Sequence, residues 1–154
     1  MSDIEIRKAQ ADDLQAMQEI ARRTIDKSYR SFLADEAVDR FINSGASDRE
    51  LERFVGNCDV LLKDNVIVAF SIYFEDLIHL MMVDVSLHRT GIGSMLLAHS
   101  EDRLLARGNS TIRLETSEGN QQAIGFYLKN GGSVVRKHKD KEHGFMRVFY
   151  EKEA

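Results

Sequence analysis

The run His88-Arg89-Thr90-Gly91-Ile92-Gly93-Ser94 lies between an apolar stretch and an amphipathic one, and its residue types suit one task, holding phosphate. A helix begins with unpaired N–H groups and the positive end of its dipole, and residues without Cβ let an anion come close to them. Gly91 and Gly93 meet that need. No Gly-Lys-Ser/Thr follows, so this is not a Walker A loop, and Leu96 stands where the dinucleotide fingerprint needs glycine. A pyrophosphate on some other carrier is the implied ligand. The alternative is a tight strand-to-helix turn with no ligand at all.

The wider stretch Val83-Asp84-Val85-Ser86-Leu87-His88-Arg89-Thr90-Gly91-Ile92-Gly93-Ser94-Met95-Leu96-Leu97 resembles the acetyl-CoA motif of the GNAT N-acetyltransferase superfamily. Asn120-Gln121-Gln122-Ala123-Ile124-Gly125-Phe126-Tyr127-Leu128-Lys129-Asn130-Gly131 resembles its later motif, an Asn, an Ala three on, then Phe-Tyr-x-Lys-x-Gly. Two motifs in the right order, one helix and one strand apart, are more specific than either alone. The resemblance implies a splay between strands four and five, with pantetheine pairing to the backbone of Val83 and Val85. It puts the pyrophosphate on Arg89, Thr90, Gly91, Ile92, Gly93 and Ser94, and the carrier arm on Asn120, with His88 and Lys129 part of the cofactor-binding set. Three departures are His88 where Gln or Arg is usual, Gly132 where an aromatic is usual, and Val85 near a frequent proline.

Acyl transfer from thioester to amine needs a neutral nucleophile, a stabilised oxyanion and a departing sulfur. An amine with a pKa near 10.4 costs about 4.6 kcal/mol to deprotonate at pH 7, so a base is useful. By the resemblance, Glu115 on strand five is the first candidate; Glu75, Asp76 and His79 are the alternatives. A surface strand residue paired with Arg113 or with a neighbouring strand is the competing reading of Glu115. Tyr127 would face the sulfur as general acid, or as a hydrogen-bond donor, since tyrosine near 10 and thiol near 8.5 run against full transfer. Tyr29, Arg30 and Phe32 would line the acceptor site together with Glu75 and His79. Arg136-Lys137-His138-Lys139-Asp140-Lys141 reads as a solvated strand and turn ahead of a contact to the adenosine 3′-phosphate.

These residues need elements to position them. Ile4 to Ala9 alternate as a first strand, and Asp12 or Asp13 caps a helix to about Ser28 with Leu14, Met17, Ile20, Ala21, Thr24 and Ile25 on one face. Residues 35 to 57 read as two short helices broken at Asn43-Ser44-Gly45, Ser47 and Glu50 forming a capping box. Val60 to Lys63 and Val66 to Phe74 form a hairpin about Asp64-Asn65. Strand four covers 78 to 85, a helix 92 to 106 ends at Gly108, and strand five covers 111 to 116. A helix from about 121 to 130 stops at Gly131-Gly132, and strands fit 133 to 139 and 144 to 151. The fold class is α/β (an α+β mixed sheet), GNAT-like, mostly antiparallel, with six to seven strands and about four flanking helices, in one domain spanning 1–154.

Composition sets the boundaries. The 154 residues carry 21 Lys+Arg against 25 Asp+Glu, a net charge of −4, which gives no global reason to bind nucleic acid or an anionic membrane. Cys58 is the only cysteine, so no intrachain disulfide forms, and it reads as packing. No apolar run of about 20 residues is present, the start lacks a signal-peptide layout, and a cytoplasmic setting is expected. The five histidines show no HExxH spacing, Met81-Met82 reads as core, and no metal is expected. The sequence thus points to an acetyl-CoA-dependent N-acetyltransferase, with CoA as product, using direct attack on a protein N-terminus, a lysine or a small amine. The alternative is a CoA-binding sensor or interaction module with little turnover. A toxin acting on aminoacyl-tRNA is disfavoured by a pI near 5.7. The family resemblance also suggests a homodimer through the final strands.

Overall fold

A computed structural model describes residues 3–88, 90–117, 121–140 and 145–153. The elements run β1 (Ile4–Lys8), α1 (Leu14–Ser28), α2 (Asp35–Asn43), α3 (Ala46–Phe54), β2 (Cys58–Lys63), β3 (Val66–Phe74), β4 (Leu77–Val83), α4 (Ile92–Ala106), β5 (Thr111–Ser117), α5 (Gln121–Lys129), β6 (Ser133–Asp140) and β7 (Phe145–Glu153). The expected mixed sheet is present. Its seven strands follow the order β1-β2-β3-β4-β5-β7-β6, and every neighbouring pair is antiparallel except β4 with β5. Five α-helices flank it among the described residues, counting separately the two short helices that part, as expected, at Gly45, whose φ of +80° no continuing helix adopts.

Local chemistry explains most boundaries. The β2–β3 hairpin turns on Asp64 and Asn65, both at positive φ (51° and 68°), as a two-residue turn matching the strand twist requires. Asp13 does not cap α1; its carboxylate accepts from the Gln10 N–H at 2.7 Å and from the Arg7 guanidinium, and a 3-10 turn over 11–13 leads into the helix. The expected capping box at Ser47 and Glu50 is absent, since Gly45 precedes the helix, Ser47 is buried inside it, and Glu50 reaches elsewhere. Strand β4 ends at Val83, two residues sooner than expected. Asp84 accepts from Ser86 N–H (3.1 Å) and Oγ (3.0 Å), turning residues 85–87 into a 3-10 turn that includes Val85.

The sheet is buried on both faces. Helices α1 to α3 cover one, over Met17, Ile20, Leu51, Val60, Phe70, Ile72 and Met82. Helices α4 and α5 cover the other, over Ile78, Leu97, Leu104, Ile112, Leu114 and Tyr127, with Leu61, Ala69, Ile92 and Leu96 beside them. Side chains alternate across a strand, so β4 and β5 each supply both layers. Ser100 on α4 donates to Ser71 Oγ on β3 at 2.8 Å, and both are fully buried, so two small polar residues are satisfied where helix meets sheet.

Candidate active site

Strands β4 and β5 pair only at Leu77↔Arg113 and Ile78↔Leu114 and then part. His79 and Glu115 are the first residues beyond that short ladder, and both face the α1–α3 side. They meet across the opening, with His79 Nδ1 2.6 Å from Glu115 Oε1. Glu50 of α3 lies 2.9 Å from His79 Nε2, so one imidazole bridges two carboxylates. The ring rests against Phe54 and Phe74, at centroid distances of 4.8 and 5.6 Å.

Burial alone would lower the His79 pKa, but the two carboxylates outweigh it and hold it up at about 9. The ring is therefore an imidazolium at neutral pH, donating to both acids. Two carboxylates against one imidazolium leave the cluster with a net negative charge. Side-chain exposure rises along the chain, 9% at Glu115, 18% at His79 and 40% at Glu50, so its outer end meets water.

The opposite face gathers the other expected groups. Val83 Cγ2 and the Phe126 ring lie 3.7 and 3.4 Å from where a Cβ on Gly93 would stand, which brings the end of β4, the start of α4 and α5 together. Gly91 has φ +88°, a left-handed conformation, with open space where a side chain would project. Ile92 opens α4 and is buried, Thr90 Oγ1 donates to Leu87 O at 2.5 Å, and Ser94 is exposed in the first turn. His88 folds back so that its Nε2 lies 2.9 Å from the Val83 carbonyl oxygen. Tyr127, 6% exposed, packs among Leu97, Leu104 and Leu114, its ring 5.7 Å from that of Phe126. Tyr127 and Glu115 thus stand on opposite faces of the sheet beside the place where it opens. Groups on both sides can act on one reacting centre there.

Not every expected residue joins this arrangement. Arg89 and Asn120 lie outside the described residues, as does Lys141 of the basic run. Lys129 is exposed in the last turn of α5. Asp76 is held bidentately by Arg113 at 2.7 to 2.9 Å, which keeps its carboxyl below the usual range and commits it to an ion pair. Glu75 is exposed in the adjoining turn, at φ 56°, on the closed side of the opening. Arg113 is therefore taken by Asp76, while Glu115 meets His79. Tyr29 and Phe32 pack together at 5.1 Å, Tyr29 against the α1–α3 core, while Arg30 ties Asp26, Asp35 and Asp39 together. Cys58 is 2% exposed, and burial and then Asp59 push its thiol up to about 12, unsuited to carrying an acyl group.

Glu50 is the residue that sequence reasoning missed. Its only signal was an i, i+4 spacing from Phe54 on α3, and nothing in the chain says that this helix face lies over His79. No helix among the described residues is long and apolar enough to cross a membrane.

Residues 14–132 match the model of the Acetyltransferase (GNAT) family. A spermidine N(1)-acetyltransferase of Thermoplasma acidophilum is 27% identical over 85% of this chain and 89% of its own length. Two solved structures share the fold. One is a GCN5-related N-acetyltransferase from Rhodopseudomonas palustris (TM-score 0.86, 16% identity, 100% of this chain and 98% of that one). The other is the PaiA N-acetyltransferase of T. acidophilum in complex with coenzyme A (TM-score 0.79, 21% identity, 99% of each chain).

Proposed function

The chain belongs to the GNAT acetyltransferase family, and from that premise we propose that it transfers the acetyl group of acetyl-CoA to a cationic aliphatic primary amine of the polyamine class. Transfer is by direct attack in a ternary complex. The observation that carries this reading is the Glu115–His79–Glu50 chain at the opening between β4 and β5. Its net negative charge suits an ammonium, and its acids suit the removal of a proton that costs about 4.6 kcal/mol at pH 7. The match to a spermidine acetyltransferase over most of both chains supports the same acceptor class.

Glu115 takes one proton from the ammonium. The freed nitrogen attacks the thioester carbon; a C–N bond forms, the carbonyl oxygen gains charge, and the C–S bond then breaks. Tyr127 donates toward the departing sulfur, and the second proton of the amine restores the balance there. The proton taken by Glu115 is released to water after transfer, while the His79 imidazolium donates to Glu115 and Glu50 and holds the base in place. Gly91, Gly93 and the first turn of α4 hold the pyrophosphate of the donor. Buried Cys58 supports direct attack over an acyl-enzyme.

Initial rates with spermidine, and with a peptide bearing a free N-terminus, test the acceptor class. Spermidine should give the higher kcat/KM. Glu115→Gln should lower kcat by roughly 10²- to 10⁴-fold at pH 7 and recover tenfold per pH unit toward pH 10, as the amine loses its own proton. Preference for the peptide would remove the polyamine reading, and a Gln variant as fast as the parent would remove Glu115 as base.

A further inference from the structure

A second cavity, of about 250 Å³, opens on the α4 face of the sheet between β1, the start of β2, the end of β3 and the C-terminal half of α4. Basic side chains converge on it: Arg7 and Lys8 from β1, and, spaced i, i+4, His99 and Arg103 on α4 and Arg107 just past its end. Arg103 and Arg107, one helical turn apart, repel each other. Arg7 is paired with Asp13, but among the described residues no carboxylate pairs with Lys8, Arg103 or Arg107, although the chain has more acids than bases. An acidic protein has here collected cations without neutralising them.

The wall behind these groups is fixed. Asp59, 9% exposed, accepts from the Tyr73 hydroxyl, and its Oδ2 lies 2.9 Å from His99 Nε2. Burial and the Asp59 contact raise the Tyr73 pKa to about 12 against the opposing pull of the nearby Arg103, so the phenol keeps its proton. Arg107 stands 5.2 Å above the Tyr73 ring. The one acid of the wall is thus occupied, and one guanidinium group rests on the aromatic ring. Guanidinium forks match carboxylate and phosphate oxygens, and prior positioning lowers the cost of binding.

We propose that this cavity is a second ligand site, taking a small oxyanion with two or more negative charges, separate from the acetyl-CoA cleft. Its volume falls below the roughly 300–1,000 Å³ of drug-sized sites, which favours a compact anion. Arg103 lies ten residues beyond Gly93 on α4, roughly 15 Å along the helix, so donor and anion occupy opposite ends of that helix. Occupancy would restrain α4, whose first turn belongs to the donor cleft, which gives the site a route to regulation.

Calorimetric titration with inorganic phosphate and with citrate, in the presence of saturating coenzyme A, tests the site, and the tighter of the two separates a phosphorylated ligand from a polycarboxylate. Saturable binding of at least one anion is expected. It should weaken at least tenfold in the Arg103→Met/Arg107→Met double variant and return in part with lysine at both positions. Both arginines are exposed, so the fold should tolerate these changes, and coenzyme A binding by the same variants reports that it does. Absence of saturable binding by both anions, displacement by coenzyme A, or equal binding by the methionine variant would overturn the proposal.

Discussion

Replacing His79 by Gln should remove a pH dependence of stability that the structure assigns to one side chain. The ring rises from an ordinary 6.5 to about 9 in the folded chain, because Glu115 and Glu50 outweigh its burial. Between these pH values the folded state keeps a proton that the unfolded state releases. The stability due to His79 is therefore complete below about 6.5 and is lost as pH rises through about 9. At 1.36 kcal/mol per pH unit the full change is on the order of 3 kcal/mol. For a chain of this length that is roughly 6 to 12 °C in Tm. Urea unfolding of parent and His79→Gln at pH 6, 7.5, 9 and 10 reads the difference directly, since other titrations are common to both proteins. The gap should be widest at pH 6 and narrow by about 3 kcal/mol by pH 10. Parallel curves, or a gap that widens with pH, would refute the charged His79 bridge between Glu115 and Glu50.

Tyr127→Phe keeps the buried ring and removes the donor; kcat should fall by roughly 10²- to 10³-fold while acetyl-CoA affinity, measured by calorimetry, stays within a factor of about two. Unchanged turnover would leave Tyr127 a core residue. At Gly91, Ala and Glu share the strain of a φ near +88°, about 1–2 kcal/mol of fold stability. Glu alone adds negative charge at the phosphate cradle, so acetyl-CoA affinity should fall at least tenfold further in Gly91→Glu than in Gly91→Ala, and equal losses would point to backbone strain.

Periodicity and turn chemistry made most of the fold legible in the sequence. The Asp64-Asn65 hairpin, the helix from 92 to 106 and the break at Gly45 depend on neighbours within a few residues, where local propensity decides. Val85 was misjudged because the Asp84 carboxylate competed with strand continuation, which apolar runs do not report. The site was legible in pieces. Glu115 and His79 each appeared as a candidate base, but as rivals, because their contact depends on where a parallel ladder stops. Glu50 was read as a cap, since a Ser-x-x-Glu pattern is local and its real partner is 29 residues away. Glu75 and Asp76 looked equivalent to the others until Arg113 claimed Asp76.

The same short ladder accounts for both halves of the site. A strand in the middle of a sheet normally has its backbone satisfied on both sides, and buried N–H and C=O groups seldom stay without partners. Beyond Ile78 the β5 side of β4 has lost its neighbour while β3 still pairs as far as Val83. That leaves an edge inside the sheet, at which an extended, amide-bearing arm can add as a strand would. His88 touches the Val83 carbonyl at one end of this edge, and the His79–Glu115 bridge spans the other. A carbonyl oxygen has two acceptor sites, so the His88 contact and a ligand amide can share it. In the proposed mechanism, the opening that exposes backbone to the donor is also the one at which Glu115 and Tyr127 stand on opposite faces of the thioester. Closing it by one further ladder pair would remove both at once, so the proposed donor binding and proton removal depend on a single feature of the topology.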